Sequence, residues 1–407
     1  MRYLFCLSLL ILIFPSLAQK TDSLDIKIGQ MIMIGYPGTE VDAKVLDEVQ
    51  KGKVGSILLF EKNIPKTNSF IALKKILWTY QHAAPMPLFI AVDQEGGKVN
   101  RLKDKYGFPR SITAKEMGSA GTLDSVRFYG EATAATLFGL GFNVNFAPVV
   151  DLASNPSNPV IVKNGRSFSA DEDTVILMAR EFIQTHRKLG VITVLKHFPG
   201  HGSSQADTHF GIADVTNTWD DRELEPYREL IESGDVDAIM SAHIVNRKLD
   251  PAGNPGTLSS NILTGVLRKE LDYHGVVFSD DMQMQAITKH YGLEEAIRLA
   301  ILAGIDIMTF SNNITGSEER TVDRVHQVIK DYVMRGVITR ERIDQSYERI
   351  MQLKRKLAPN STEEYYAREL LYEQRKVEEL NAQLKAIKEE NAKLLASKKK
   401  KKRRKQK

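Results

Sequence analysis

Residues 191–209 read VITVLKHFPGHGSSQADTH. The first five, Val191 to Leu195, are apolar or β-branched and suit a strand buried on both faces. Directly behind them Lys196, His197, His201, Asp207 and His209 crowd one short connection. A buried strand cannot hold so many ionisable groups without partners, and a plain surface turn has no use for a Pro-Gly pair between two histidines. The stretch therefore reads as a strand that delivers a functional site at its C-terminal end.

The same pattern recurs along the chain. Eight runs, Met31 to Ile34, Val54 to Phe60, Leu88 to Val92, Val144 to Val150, Val191 to Leu195, Ala238 to Met240, Val276 to Phe278 and Ile305 to Thr309, end in polar, Gly or Pro punctuation. Amphipathic stretches with apolar residues at helical spacing lie between them: Phe70 to His82, Val126 to Leu140, Thr174 to Leu189 and Leu258 to Leu271. Over residues 22–357 this alternation predicts an α/β fold, a (β/α)8 TIM-type barrel, with an open doubly wound sheet as second choice. The chemistry-bearing residues separate the two. Asp93 follows the third run, Asp151 the fourth, Lys196 and His197 the fifth, His243 the sixth and Asp280 the seventh. A parallel barrel gathers all of these at its C-terminal rim, where barrel enzymes hold their sites. Neither G-x-G-x-x-G after an early strand nor G-x-x-x-x-G-K-[ST] occurs, so no nucleotide cofactor is expected and Gly96-Gly97 reads as a turn. His197, His201 and His209 lack the H-E-x-x-H spacing of a zinc site, so no metal is expected either.

Gly275-Val276-Val277-Phe278-Ser279-Asp280-Asp281 sets a carboxylate at the end of a buried strand, placed to act as a nucleophile, while Asp281 is assigned to capping the segment Met282 to Thr288. This motif, with KHFPGHG and the following D-T-H, resembles glycoside hydrolase family 3, and closely its single-domain β-N-acetylglucosaminidase (β-N-acetylhexosaminidase) branch, over roughly Leu24 to Lys356. The resemblance implies Asp280 as nucleophile, His209 as acid/base and Asp207 as its dyad partner. It further implies Asp93, Arg101, Arg166, Lys196 and His197 as the residues that grip an N-acetylglucosamine. For Asp93 the simpler reading is a salt bridge to Arg101 that only shapes the rim, and His243 is a candidate to line the pocket or brace the loop.

The chemistry is self-consistent. Retaining glycosidases mostly use two carboxyl groups, and no second rim carboxylate stands out as the acid. A histidine, with an ordinary pKa of about 6.5, can protonate a leaving oxygen and then deprotonate water near neutrality. Gly202-Ser203-Ser204 is expected to give the loop a flexible approach. It stands where many relatives have an acidic residue and a threonine, and Gln283 replaces a small residue; both bear on loop closure and aglycone preference. The implied function is a retaining exo-β-N-acetylhexosaminidase acting on peptidoglycan fragments or chitin-like oligosaccharides. The alternatives are a β-N-acetylglucosaminide phosphorylase and a non-catalytic wall-binding protein tethered by its tail.

Both ends differ from the middle of this 407-residue chain. Met1-Arg2, the apolar run Tyr3 to Phe14 and Ser16-Leu17-Ala18 predict a signal peptide over residues 1–18 and an exported, periplasmic or secreted protein. Cys6, the only cysteine, lies inside that segment, so the mature chain relies on its core rather than on disulfides. Over residues 358–397, Val377, Leu380, Leu384, Ile387, Asn391 and Leu394 form a helical seam that suits weak self-association as a coiled coil or a solitary solvated helix. Residues 398–407 carry nine positive side chains; the net charge of +5 less nine leaves about −4 for the rest. A basic block of this kind suits an acidic envelope polymer as partner, or merely solubilises, and for an exported chain no nucleic acid is expected.

Overall fold

Each of the eight apolar runs contributes one short parallel strand: β1 Ile32–Gly35, β2 Ser56–Leu59, β3 Phe89–Val92, β4 Val144–Asn145, β5 Ile192–Phe198, β6 Ala238–Ser241, β7 Val276–Asp281 and β8 Ile307–Phe310. The computed structural model describes residues 23–208, 211–313 and 322–357. The expected signal peptide, C-terminal helix and basic tail, and His209 itself, lie outside the described residues. Every strand pairs with its neighbours in sequence, and β8 closes on β1, so the sheet is the expected (β/α)8 barrel rather than an open sheet.

The helices between the strands form where the apolar spacing is helical. Leu123–Leu140 buries Val126, Gly130, Ala134, Leu137 and Leu140 on one stripe and stops at Gly141, whose φ of 98° suits a residue without a side chain. Glu172–Arg187 starts at Asp171, whose side chain accepts from Thr174 N, and buries Val175, Ala179, Phe182 and His186 toward the sheet. Inside the barrel the rings of Phe89 and Phe146 meet Phe278 at centroid separations of 6.1 and 5.5 Å. Truncating a ring like Phe278, which is fully buried, costs on the order of 3–5 kcal/mol. Below them Lys354 closes the N-terminal end, its Nζ donating to Gln30 Oε1 at 2.6 Å and Gly55 O at 2.9 Å. On that same rim Arg268 and Arg349 converge on the buried Asp306, at 2.8 and 3.1 Å. Asp306 is thus paired, whereas Lys354 meets only neutral acceptors and burial lowers its pKa from 10.5 to about 7; this end of the barrel reads as structural.

Three local expectations are corrected. The fourth run was expected to continue as strand to Val150, but the regular strand β4 ends at Asn145, since Pro148 offers no amide hydrogen to a ladder, and beyond it only an isolated bridge, Val149↔Lys196, resumes the pairing. The fifth run was expected to end at Leu195, yet β5 continues through Lys196 and His197 to Phe198, since both polar side chains find partners inside the barrel mouth. The residues 202–204, expected to be flexible, are buried. Gly202 is required for close approach: a Cβ there would lie 1.8 Å from Leu152 O.

Two strands slip register where the polar residues begin. Between β5 and β6 the pairing passes from Leu195↔Ile239 to Phe198↔Ser241, and between β7 and β8 from Phe278↔Ile307 to Asp281↔Thr309. In each case three steps on one strand face two on its partner. Such bulges bend a strand locally and re-aim its side chains. Here they fall at Lys196-His197 and at Ser279-Asp280.

Candidate active site

At the C-terminal end of the strands the rim opens into a cavity of about 780 Å³. Its walls include Asp93, Arg101, Arg166, Lys196, His197, Asp207 and Asp280. The barrel thus brings together every site residue read from the sequence that lies within the described region. They come from the ends of four different strands, β3, β4, β5 and β7, and the segments that follow them, and only the closed sheet makes them neighbours.

A run of alternating charges crosses the floor. Arg101 Nη2 donates to Asp93 Oδ2 at 3.2 Å, and Lys196 Nζ lies 2.8 Å from Asp93 Oδ1 and 2.6 Å from Glu95 Oε1. Arg166 grips Glu95 with two bonds of 2.8 Å and extends Nη2 to His197 Nε2 at 3.2 Å. On its far side His197 Nδ1 lies 2.7 Å from Asp151 Oδ2. A guanidinium only donates, so Nε2 of His197 is the acceptor and Nδ1 carries the proton to Asp151. The Asp93–Arg101 salt bridge expected as the simpler reading is present, and Asp93 also holds Lys196 and lines the cavity.

Burial alone would raise these carboxyls, but their hydrogen-bonded and charged partners outweigh it. Lys196 and Arg101 hold Asp93 below the ordinary carboxylate range, Arg166 and Lys196 hold Glu95 at about 2, and His197 holds Asp151 down. Burial works against the charge of Arg166 too, yet Glu95 raises its affinity for the proton. The three carboxyls are therefore held ionised, each fixed by its partners in the network. Backbone bracing adds to this. Asn145 of β4 pairs with the main chain of Gln94 through Oδ1 and Nδ2, at 3.1 and 3.2 Å, and Gln94 Oε1 accepts from Arg101 N at 3.0 Å.

Asp280 sits on the β7 bulge, its Oδ1 accepting from Asp281 N at 2.8 Å. Asp281 does not cap a helix, as had been expected, because the helix starts only at Gln285, with Met284 at its cap position. Its carboxylate instead accepts from Gln283 N at 3.1 Å and from Ser311 N at 3.2 Å, and Ser311 Oγ donates to it as well. Asp281 thereby ties the end of β7 to the segment after β8, and burial pushes its carboxyl up to about 6. His243 is fully buried and braces rather than lines: its Nε2 donates to Asp281 O at 2.9 Å and its Nδ1 lies 2.8 Å from Thr257 Oγ1.

Sequence reading missed Glu95 and undervalued Asp151. Glu95 is two residues beyond Asp93, and in extended chain that period of two puts both on one side. Asp151 was noted at the rim but not as the partner of His197. Among the described residues no group of His, Cys, Asp or Glu is arranged to hold a metal ion.

Comparison with known proteins agrees with this geometry. The pattern of the glycosyl hydrolase family 3 N-terminal domain matches residues 23–353. A β-hexosaminidase of Tolumonas auensis is 35% identical over 291 residues, spanning 70% of this chain and 84% of that protein. A family 3 β-N-acetylglucosaminidase from a Paenibacillus strain superposes with a TM-score of 0.76 at 33% identity, covering 84% of this chain and 64% of that one. The chain thus spans under two thirds of that longer relative. The β-N-acetylhexosaminidase of Beutenbergia cavernae superposes with a TM-score of 0.74 at 27% identity, covering 82% of this chain and 98% of that one. With the family pattern spanning the whole barrel and the charged cavity at its C-terminal rim, this chain belongs to glycosyl hydrolase family 3 and is a glycoside hydrolase.

Proposed function

We propose that the protein is a retaining exo-β-N-acetylhexosaminidase that removes terminal β-N-acetylglucosamine from peptidoglycan fragments or chitin-like oligosaccharides. The observation that carries this reading is the shared cavity, which Asp280 and Asp207 line together with Asp93, Arg101, Arg166, Lys196 and His197. Fixed charges at hydrogen-bond distance suit a sugar's hydroxyls and an acetamido group. Asp280 attacks the anomeric carbon while His209, oriented by Asp207, gives its proton to the leaving oxygen. The glycosyl-aspartate ester is then opened by water, whose proton returns to His209, releasing the Asp280 carboxylate. The proposal extends to an exported protein whose basic tail meets an acidic envelope polymer, in keeping with residues 1–18 and 398–407.

The test is hydrolysis of an aryl β-N-acetylglucosaminide by wild type, Asp280→Ala and His209→Ala, with the matching glucoside as control and with phosphate present or absent. Turnover of the acetamido sugar that collapses in Asp280→Ala and falls in His209→Ala is expected. Undiminished activity in Asp280→Ala overturns the nucleophile assignment. Turnover that needs phosphate replaces hydrolase by phosphorylase, because a histidine acid/base does not repel that anion. No turnover of either sugar leaves the wall-binding reading.

A further inference from the structure

Glu223 belongs to the turn Asp221–Leu224, in the connection between β5 and β6, and is 1% exposed. Its two carboxylate oxygens accept from consecutive backbone amides of the segment after β5, Gly202 N at 2.8 Å and Ser203 N at 2.9 Å. Its neighbours hold the same segment. Asp151 Oδ1 accepts from His201 N at 2.8 Å, Asn158 Nδ2 donates to the carbonyls of His201 and Gly202 at 2.8 and 2.9 Å, and Asn155 Nδ2 donates to Ser204 O at 2.9 Å. Main-chain groups from 201 to 204 are thus clamped by side chains from outside the segment. Gln205 and Ala206, immediately beyond, are exposed.

A buried carboxylate normally has a cation, as Asp93, Glu95 and Asp306 do. Among the described residues no lysine or arginine forms an ion pair with Glu223, and burial, with Asp151 close by, pushes its carboxyl up to about 7. A position so unfavourable for an anion is hard to explain by stability. What it provides is two parallel acceptors at the root of the segment that leads to Asp207 and residue 209.

We infer that Glu223 is a positioning residue for the acid/base step: by fixing the amides of Gly202 and Ser203 it sets the course of the chain into Asp207, the proposed dyad partner of the acid/base. This rests on the reading given under Proposed function. Proton transfer needs a heavy-atom separation of about 2.6–3.2 Å, and a misplacement of about 1 Å costs on the order of 100-fold. Glu223→Gln keeps the shape but turns an NH2 toward one of the two amides, so one of the two hydrogen bonds becomes a donor facing a donor.

The experiment compares kcat/KM on two β-N-acetylglucosaminides. A 2,4-dinitrophenyl glycoside departs without a proton, whereas N,N′-diacetylchitobiose needs one. In Glu223→Gln we expect a loss of about 10- to 100-fold on the disaccharide and under about threefold on the dinitrophenyl glycoside. Glu223→Asp, which keeps the charge but reaches only one amide, should show the same selectivity to a smaller degree, and it carries the test where the Gln variant does not fold. Equal losses on both substrates overturn the inference in favour of a purely structural role, as does no loss on either. Wild type inactive on both sugars overturns the functional reading itself, and the inference with it.

Discussion

Replacing Glu95 by Gln removes one negative charge from the middle of the charged floor and almost nothing else. The Glu95 side chain is 5% exposed and takes two bonds from Arg166 and one contact from Lys196. These neighbours lower its carboxyl from 4.5 to about 2 against the effect of burial. At about 1.36 kcal/mol per unit, that gap corresponds to roughly 3 kcal/mol in favour of the charged form. A carboxyl depressed in the folded state contributes stability that is complete above its unfolded value and fades as pH falls toward its folded one. At pH 7 the contribution is therefore present in full, and Glu95→Gln should lower unfolding free energy by about 3 kcal/mol, within the range for breaking a buried pair. Denaturant unfolding at pH 7 measures this directly. The freed guanidinium of Arg166 also reaches His197, so kcat/KM on a β-N-acetylglucosaminide should drop by about 10- to 100-fold, the worth of one or two charge-assisted hydrogen bonds. A variant as stable as wild type within about 0.5 kcal/mol would refute the reasoning, because Arg166 and Lys196 would then not depend on Glu95.

Two further outcomes are expected. Gly202→Ala drives a Cβ to 1.8 Å from Leu152 O, and since the obstacle is backbone, stability should drop by at least 1–3 kcal/mol, a cost of roughly overpacking size; a fully active variant with an unchanged melting temperature would contradict the clamp. His186 is fully buried, donates through Nδ1 to Phe182 O at 3.0 Å and accepts through Nε2 from Asn145 Nδ2 at 3.0 Å, and burial lowers its pKa from 6.5 to about 4. The unfolded chain takes up that proton first, so stability is lost as pH falls from about 6.5 to 4, and the stability gap between wild type and His186→Gln should narrow over that window by up to about 3 kcal/mol. Parallel pH profiles for the two proteins would count against it.

The barrel was legible because its strands are buried on both faces, and residues such as Ile57, Ile90, Val194 and Ile239 therefore stand in unbroken apolar runs. Helix positions followed from their own spacing. What escaped was whatever depends on pairing across the rim. Lys196 and His197 look like loop residues until Asp93, Glu95 and Asp151 are seen to receive them within the strand. Asp281 looked like a helix cap because Asp favours that position, but Ser311, thirty residues on, captured its carboxylate. Glu223 carries no local signal at all, since its partners Gly202 and Ser203 offer only backbone amides.

The floor of the cavity has one more consequence. Arg101, Lys196 and Arg166 stand against Asp93, Glu95 and Asp151, so the six charges cancel, and a few ångströms into solvent their field fades. The floor by itself therefore adds little long-range pull or push. An uncharged sugar is little drawn by these floor charges from a distance and feels them in full only at touching distance, where fixed donors and acceptors can read its hydroxyls. Selection among sugars is thereby postponed to contact, after encounter and before chemistry.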